Sequence, residues 1–156
     1  MVTKFKPNKY KPLKLNELKK FIISKRYLKK LFKNISNLEV KEVGDGNLNL
    51  VFFIENKYNS ICLKQPLPYL RVLKDWPLTL KRSYYEYEYF NIHKKYVKNH
   101  FPKIYDYDEV LRSIVMEKLS PHIIMRHGLI KGIKYNSFAD SISTYLAKTL
   151  FYTSDL

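Results

Sequence analysis

From Asn16 onward, apolar residues recur at intervals of three and four: Leu18, Phe21, Ile22, Leu28, Leu31 and Phe32. That is the spacing of one helical face. Asn16 is placed as the N-cap. Lys19, Lys20, Lys25, Lys29 and Lys30 fall mostly off the stripe. The pattern predicts one amphipathic basic helix over residues 15–33, packed through Leu18, Phe21, Ile22 and Leu28. Residues 1–14 contain Lys and Pro and read as an extended tail. From Leu38 to Val43 the pattern alternates, as a strand does. Gly44-Asp45-Gly46-Asn47 is the strongest turn signal in the chain. Leu48–Ile54 and Ile61–Gln65 are predicted strands about a polar turn at Asn56–Ser60. Three strands at this spacing imply an antiparallel meander. Pro66 and Pro68 end it, and a loop runs through Asp75-Trp76-Pro77 to a long helix from about Thr79 to Lys98. Lys103–Tyr107 and Ser113–Glu117 read as a second hairpin around Asp108-Glu109. Ser137 opens a last helix, with Asp140 in the place a capping box reserves for Glu. Phe138, Ile142, Leu146, Thr149 and Leu150 form its apolar face, which is expected to lack a partner.

The order is three strands, a helix, two strands and a helical segment. It specifies an α+β chain and leaves several folds open. One of them is the small lobe of a kinase-like fold, a five-stranded antiparallel sheet with an inserted helix.

Composition narrows the class. At 156 residues, 46% hydrophobic and 28% charged, the chain is one globular domain or one lobe and not a disordered segment. No apolar run approaches the ~20 residues of a membrane-spanning helix, and the Lys-rich start has no apolar signal region. Cys62 is the single cysteine, so a cysteine cage or internal disulfide is excluded and a cytoplasmic location is the default. His93, His100 and His122 lack metal-ligand spacing, so no metal site is expected. Net charge is +15, and it is uneven. Residues 1–41 hold thirteen Lys/Arg against two Glu, and the remainder holds sixteen basic against twelve acidic residues. The N-terminal segment is therefore a polyanion-binding arm or the solvated face of a helix. Lys dominates over Arg, which weighs against nucleic acid.

The glycine turn lies between two strands, so its backbone N–H groups can cover a phosphate. A Walker loop would lie between strand and helix and end in Gly-Lys-Ser/Thr. An ordinary glycine hairpin has the same letters. Lys64 changes the picture: a lysine inside the apolar run Ile61-Cys62-Leu63-Lys64 is costly unless paired. In kinase-like lobes such a lysine holds the α- and β-phosphates and pairs with a helix glutamate. Glu86, one turn after Arg82, is the candidate partner, and Glu88 points elsewhere. The plainer alternative for Arg82 and Glu86 is a surface ion pair.

At this point the chain resembles a family. Val43-Gly44-Asp45-Gly46-Asn47-Leu48-Asn49-Leu50-Val51-Phe52, then Leu63-Lys64-Gln65 and Pro68-Tyr69, are similar to the nucleotide loop and following strand of S-methyl-5-thioribose kinases. Asp75-Trp76-Pro77-Leu78-Thr79 resembles that family's tryptophan loop, with Arg82 and Glu86 in the next helix. Val115-Met116-Glu117-Lys118-Leu119-Ser120 resembles its hinge. Gly128-Leu129-Ile130-Lys131-Gly132 and Thr149-Leu150-Phe151-Tyr152-Thr153-Ser154-Asp155 are similar to later segments. The segments occur in order over about residues 38–156.

The resemblance implies a protein-kinase-like fold and ATP-dependent phosphorylation of methylthioribose in methionine salvage, with Mg²⁺ and a homodimer. It implies that Asp45, Gly46, Asn47, Leu48 and Asn49 cover the phosphates, that Lys64 holds them and that Glu86 orients Lys64. Met116 and Glu117 would offer hinge backbone to adenine, with Leu119 nearby. It divides the chain into a basic tail and helix (1–37), a nucleotide-binding lobe (38–120) and the start of a large lobe (121–156). The family's His-Gly-Asp loop and Asp-x-Glu motif do not occur; in Arg126-His127-Gly128-Leu129 a leucine stands where the aspartate would be. The expectation is therefore a truncated, nucleotide-binding lobe that is inactive alone, with methylthioribose and the Mg²⁺ ligands requiring a missing lobe. The alternative is a non-catalytic kinase-like remnant that binds a partner or polyanion.

Overall fold

The structure is a computed structural model that describes residues 7–44 and 46–154. The chain divides into two units, Met1–Glu88 with Lys103–Lys118, and Tyr89–Pro102 with Leu119–Leu156. The described part of the basic N-terminal segment thus shares a unit with the sheet, and residues 89–102 group with the C-terminal helices.

In the first unit, helices α1 (Leu15–Ser24) and α2 (Arg26–Phe32) precede strands β1 (Glu39–Glu42), β2 (Asn49–Glu55) and β3 (Ser60–Pro66). A small hairpin follows, β4 (Tyr69–Leu70) and β5 (Leu73–Pro77), then helix α3 (Lys81–His93), whose residues up to Glu88 belong to this unit. Strands β6 (Ile104–Asp108) and β7 (Ser113–Glu117) complete a five-stranded antiparallel sheet of order β1-β2-β3-β7-β6. This α+β architecture, with its helix inserted between the third and the last two sheet strands, matches the predicted kinase-like small lobe.

Period-two alternation decides the two sheet faces. Leu50, Phe52 and Ile54 on β2 stand opposite Gln65, Leu63 and Ile61 on β3. All six are buried, and the five apolar ones form one core with Leu18, Phe21, Ile22, Leu28 and Phe32 from the helices. Each large apolar side chain so covered contributes roughly 1.5–3 kcal/mol. The N-terminal stripe is therefore the cover of the sheet. Val51, Phe53, Cys62 and Lys64 lie on the opposite, half-exposed face.

The single helix expected over 15–33 is broken. Ser24 donates its hydroxyl to the Phe21 carbonyl at 2.7 Å, and Lys25 turns extended at φ −97°, ψ 103°. Lys25 Nζ then reaches Asp108 at 2.9 Å and Asp106 at 3.1 Å. A short hydroxyl that competes for the helical carbonyl, with an ion pair outside the helix path, ends the first segment. The four residues expected to pack the helix are buried on both sides of the break. Asn16 is not the cap: the helix starts after Lys14, whose N–H donates to the Glu17 carboxylate at 3.1 Å. A carboxylate in the first turn satisfies an orphan amide and suits the helix dipole.

Two further expectations are corrected. The segment read as a loop through Trp76 is the β4–β5 hairpin, joined by Arg71–Val72 without the Gly or Asn that would announce a tight turn. The helix expected over 79–98 ends at His93, whose carbonyl accepts from both the Tyr96 and Val97 N–H groups in a closing turn, and Val97 is buried outside helical geometry at φ −136°.

The second unit holds α4 (Met125–Ile130) and α5 (Phe138–Tyr152). Aromatic rings bind it together: Phe101 meets Tyr89, Phe90 and Tyr145 edge-on at centroid distances of 5.7, 5.4 and 5.8 Å. Tyr96 stacks on Tyr152 at 5.0 Å. Ser137 sits before α5 at ψ 12° and makes no side-chain cap bond, so the expected capping box does not form. A cap hydroxyl reaches the N3 amide from extended backbone, which Ser137 lacks. Phe138, Ile142, Leu146 and Leu150 are 37–68% exposed, whereas Thr149, placed on the same face, is buried.

Candidate functional site

The site is built on the half-exposed face of the sheet. Lys64 lies on β3 opposite Val51 on β2 and Ile114 on β7. Two pairs further along, Asn49 opposite Pro66 forms the base of the glycine loop. Alternation on β3 turns Leu63 and Gln65 into the core and leaves Lys64 beside Cys62 on the other face. The Lys64 ammonium donates to Glu86 Oε1 at 2.6 Å, with both side chains about 30% exposed. Glu86 stands one turn into α3, so the helix after the β4–β5 hairpin positions the strand's cation. The expected pair is formed.

The loop between β1 and β2 is held by its carbonyls. The Arg71 N–H donates to Asn47 O at 2.9 Å and the Leu67 N–H to Leu48 O at 3.0 Å. Arg82 Nη2 donates to Leu67 O at 3.0 Å and also to Leu48 O. Arg71 Nη2 pairs with Glu42 at 2.9 Å, and Nη1 lies 3.5 Å from Gly46 O. A Cβ at Gly46 would stand 3.3 Å from the Asn49 carbonyl, tighter than side-chain carbons ordinarily pack. Asp45, named with this loop, lies outside the described residues.

Electrostatics on this face follow from burial. Burial pushes the Cys62 thiol up to about 11, with Lys64 opposing and Glu86 adding to the rise. Burial also lowers the pKa of Arg82, against the pull of Glu86.

The other expected site residues fall in two places. Met116 lies on β7 opposite Cys62, nearly buried on the Lys64 face. Glu117 ends the strand; its N–H donates to Lys103 O at 2.8 Å and its carboxylate accepts the Lys103 N–H at 3.1 Å. Leu119 belongs to the second unit and is exposed. Arg71 and Gln65 were not assigned a role from sequence. Arg71 carries no local signal, because its partners lie across the chain at Glu42 and Asn47. Gln65, in the Leu63-Lys64-Gln65 run, is a polar residue that alternation places in the core, where it is fully buried. Among the described residues, no group of three or more His, Cys, Asp or Glu could hold a metal ion. No described helix is long and apolar enough to cross a membrane.

No family model matches the chain. Curated relatives do. Methylthioribose kinase 1 of Oryza sativa subsp. japonica is 42% identical over 123 residues, 78% of this chain and 29% of the relative. Methylthioribose kinase of Escherichia coli O45:K1 is 44% identical over 120 residues, 76% of this chain and 29% of the relative. That of Bacillus cereus strain ZK is 44% identical over 126 residues, 80% of this chain and 32% of the relative. The chain is a homologue of the methylthioribose kinases, spans about three-tenths of the length of these relatives, and has the α+β fold of a kinase-like N-lobe.

Proposed function

We propose that this chain supplies the nucleotide-binding lobe of an ATP-dependent methylthioribose kinase. The observation that carries the reading is the 2.6 Å Lys64–Glu86 ion pair beside the base of the glycine loop. A lysine held by a helix carboxylate next to a strand–loop–strand phosphate cover is the arrangement that fixes a nucleoside triphosphate. In this reading the loop residues Asp45 to Asn49 cover the phosphates through backbone N–H groups. Lys64 neutralises the α- and β-phosphates, and Glu86 holds Lys64 in place. Val51 and Cys62 share the half-exposed Lys64 face and offer an apolar platform for the base, with Met116 and the buried Ile114 behind it. Met116 and Glu117 supply the hinge backbone; the Glu117 N–H is already spent on Lys103, so its carbonyl is the group left to adenine.

The same reading carries Mg²⁺, methylthioribose, methionine salvage, a cytoplasmic location and a homodimer. The described residues offer Mg²⁺ no cluster of three or more His, Cys, Asp or Glu ligands. Residues 38–120 are the nucleotide lobe, preceded by the basic segment 1–37 and followed by large-lobe residues 121–156. Phosphoryl transfer needs groups that bind the transition state more tightly than the ground state. Lys64 and a glycine loop hold both alike, and residues 1–156 contain no His-Gly-Asp sequence to accept the hydroxyl proton. The 156-residue chain is therefore inactive on its own.

The test pairs titration calorimetry of the chain with Mg-ATP and a coupled assay with methylthioribose. Heat of ATP binding that is lost in Lys64→Ala, with no turnover, supports the reading. Absence of ATP binding refutes the nucleotide site, and turnover by the chain alone refutes its inactivity.

A further inference from the structure

We propose that Arg82 is a positioning residue that sets the glycine loop for the nucleotide, an inference that rests on the reading of this loop as a phosphate cover. Its Nη2 donates to two carbonyls on different segments, Leu48 at the end of the loop and Leu67 just past β3. Leu67 returns the contact, its N–H donating to Leu48 O at 3.0 Å. One guanidinium thus closes the mouth of the β2–β3 pair at the point where the loop ends and β2 begins. The helix that carries Arg82 also carries Glu86, four residues on and bonded to Lys64 at 2.6 Å. The first turns of α3 therefore set both halves of the site, the loop through Arg82 and the ammonium through Glu86.

Helix stability does not explain this arginine. A cation in the first turn opposes the helix dipole. Its environment is costly as well: Nε and Nη1 are buried and find no hydrogen-bond partner among the described residues. A buried, incompletely satisfied guanidinium is destabilising in isolation. What the site gains is geometry. Carbonyls at Leu48 and, through the Arg71 N–H, at Asn47 are committed to protein donors. Peptide groups whose oxygens are tied down cannot turn those oxygens toward a triphosphate, where like charge would repel it. Preorganising the cover in this way removes a conformational cost from binding.

Lysine cannot reproduce the arrangement, because a compact ammonium lacks the planar fork that spans two carbonyls. Methionine keeps the stem and removes every donor.

The experiment uses the 156-residue chain as wild type, Arg82→Lys and Arg82→Met. Amide hydrogen exchange is read residue by residue without nucleotide, and Mg-ATP affinity is read by calorimetry. Arg82→Met is expected to speed exchange at the Leu67 and Arg71 amides by about tenfold and to weaken ATP binding by a similar factor, the scale of one lost charged hydrogen bond. Exchange at Phe52 and Leu63 in the sheet centre stays unchanged. Arg82→Lys recovers part of both effects. Unchanged protection at Leu67 and Arg71 overturns the clamp. Lost protection with unchanged ATP affinity overturns its role in positioning. Should Arg82→Met fail to fold, Arg82→Lys decides on the same two readings, and wild-type values in both overturn the proposal. A wild-type chain that binds no ATP overturns the nucleotide reading and the positioning role with it, while the exchange data still decide the clamp.

Discussion

The Leu13 N–H donates to Gln65 Oε1 at 2.8 Å, which ties the N-terminal segment to the centre of the sheet. Gln65 Nε2 donates in turn to Lys11 O at 2.9 Å and Leu111 O at 3.0 Å. A fully buried amide so placed satisfies three backbone groups from distant parts of the first unit. Gln65→Leu keeps the volume and orphans all three. The expected loss is about 2–3 kcal/mol of unfolding free energy, measured by urea titration. A loss below 0.5 kcal/mol would mean that water replaces the amide at no cost.

Lys64 and Glu86 separate stability from binding. The pair is about 30% exposed, so its removal costs at most about 1 kcal/mol of stability. Lys64→Met is expected to leave the urea midpoint nearly unchanged while ATP affinity falls by tenfold or more, as loss of a charge-assisted phosphate contact requires. Equal effects on both would make the pair structural.

Acid sensitivity is expected from Asp108. Burial opposes its ionisation, but the Leu111 N–H at 2.8 Å, Lys25 at 2.9 Å and the Val110 N–H at 3.0 Å outweigh burial and hold the carboxyl below its ordinary value. A depressed folded pKa gives stability that is present above the unfolded value near 4 and is lost as pH falls through the folded one. Lys25 is the mirror case: burial opposes its charge, Asp108 and Asp106 prevail, and the raised pKa gives stability lost only as strongly alkaline pH is reached. Asp108→Asn keeps acceptors for the two amides and loses the charge. It should cost about 1–2 kcal/mol at pH 7 and flatten the decline in stability as pH falls below the ordinary carboxylate range. A decline as steep as in wild type would place the acid-labile group elsewhere.

Cys62 reports on the same face as Lys64. With its thiol pushed up to about 11 by burial, little thiolate exists at pH 8. Alkylation by iodoacetamide is expected at least about a hundredfold slower than for free cysteine. Because Lys64 lowers the Cys62 pKa and Glu86 raises it, Lys64→Met should slow the reaction further and Glu86→Gln should speed it. The opposite order would contradict this arrangement of charges.

What the sequence determined by itself is what short periods encode. Alternation at Leu50, Phe52 and Ile54, and again at Ile61 and Leu63, assigns a core face to each strand, because successive side chains point to opposite sides. That same alternation leaves Lys64 on the outer face, where an unpaired cation needs a carboxylate, and Glu86 follows from helical spacing. The apolar stripe of residues 18–32 is equally local. Tertiary structure decided the rest. Strand β7 lies between β3 and β6, and which edge of the first three strands it joins is a long-range pairing that no short period records. The break after Ser24 is set by acids at 106 and 108, more than 80 residues away. The β4–β5 hairpin forms without turn glycines because Arg71 bonds Glu42 and the glycine loop. Gln65 reads as an ordinary polar residue until Lys11, Leu13 and Leu111 surround it. Periodicity records which way a side chain faces. It carries no record of what stands opposite, because hydrogen bonds and ion pairs between distant segments exist only once the chain has closed on itself.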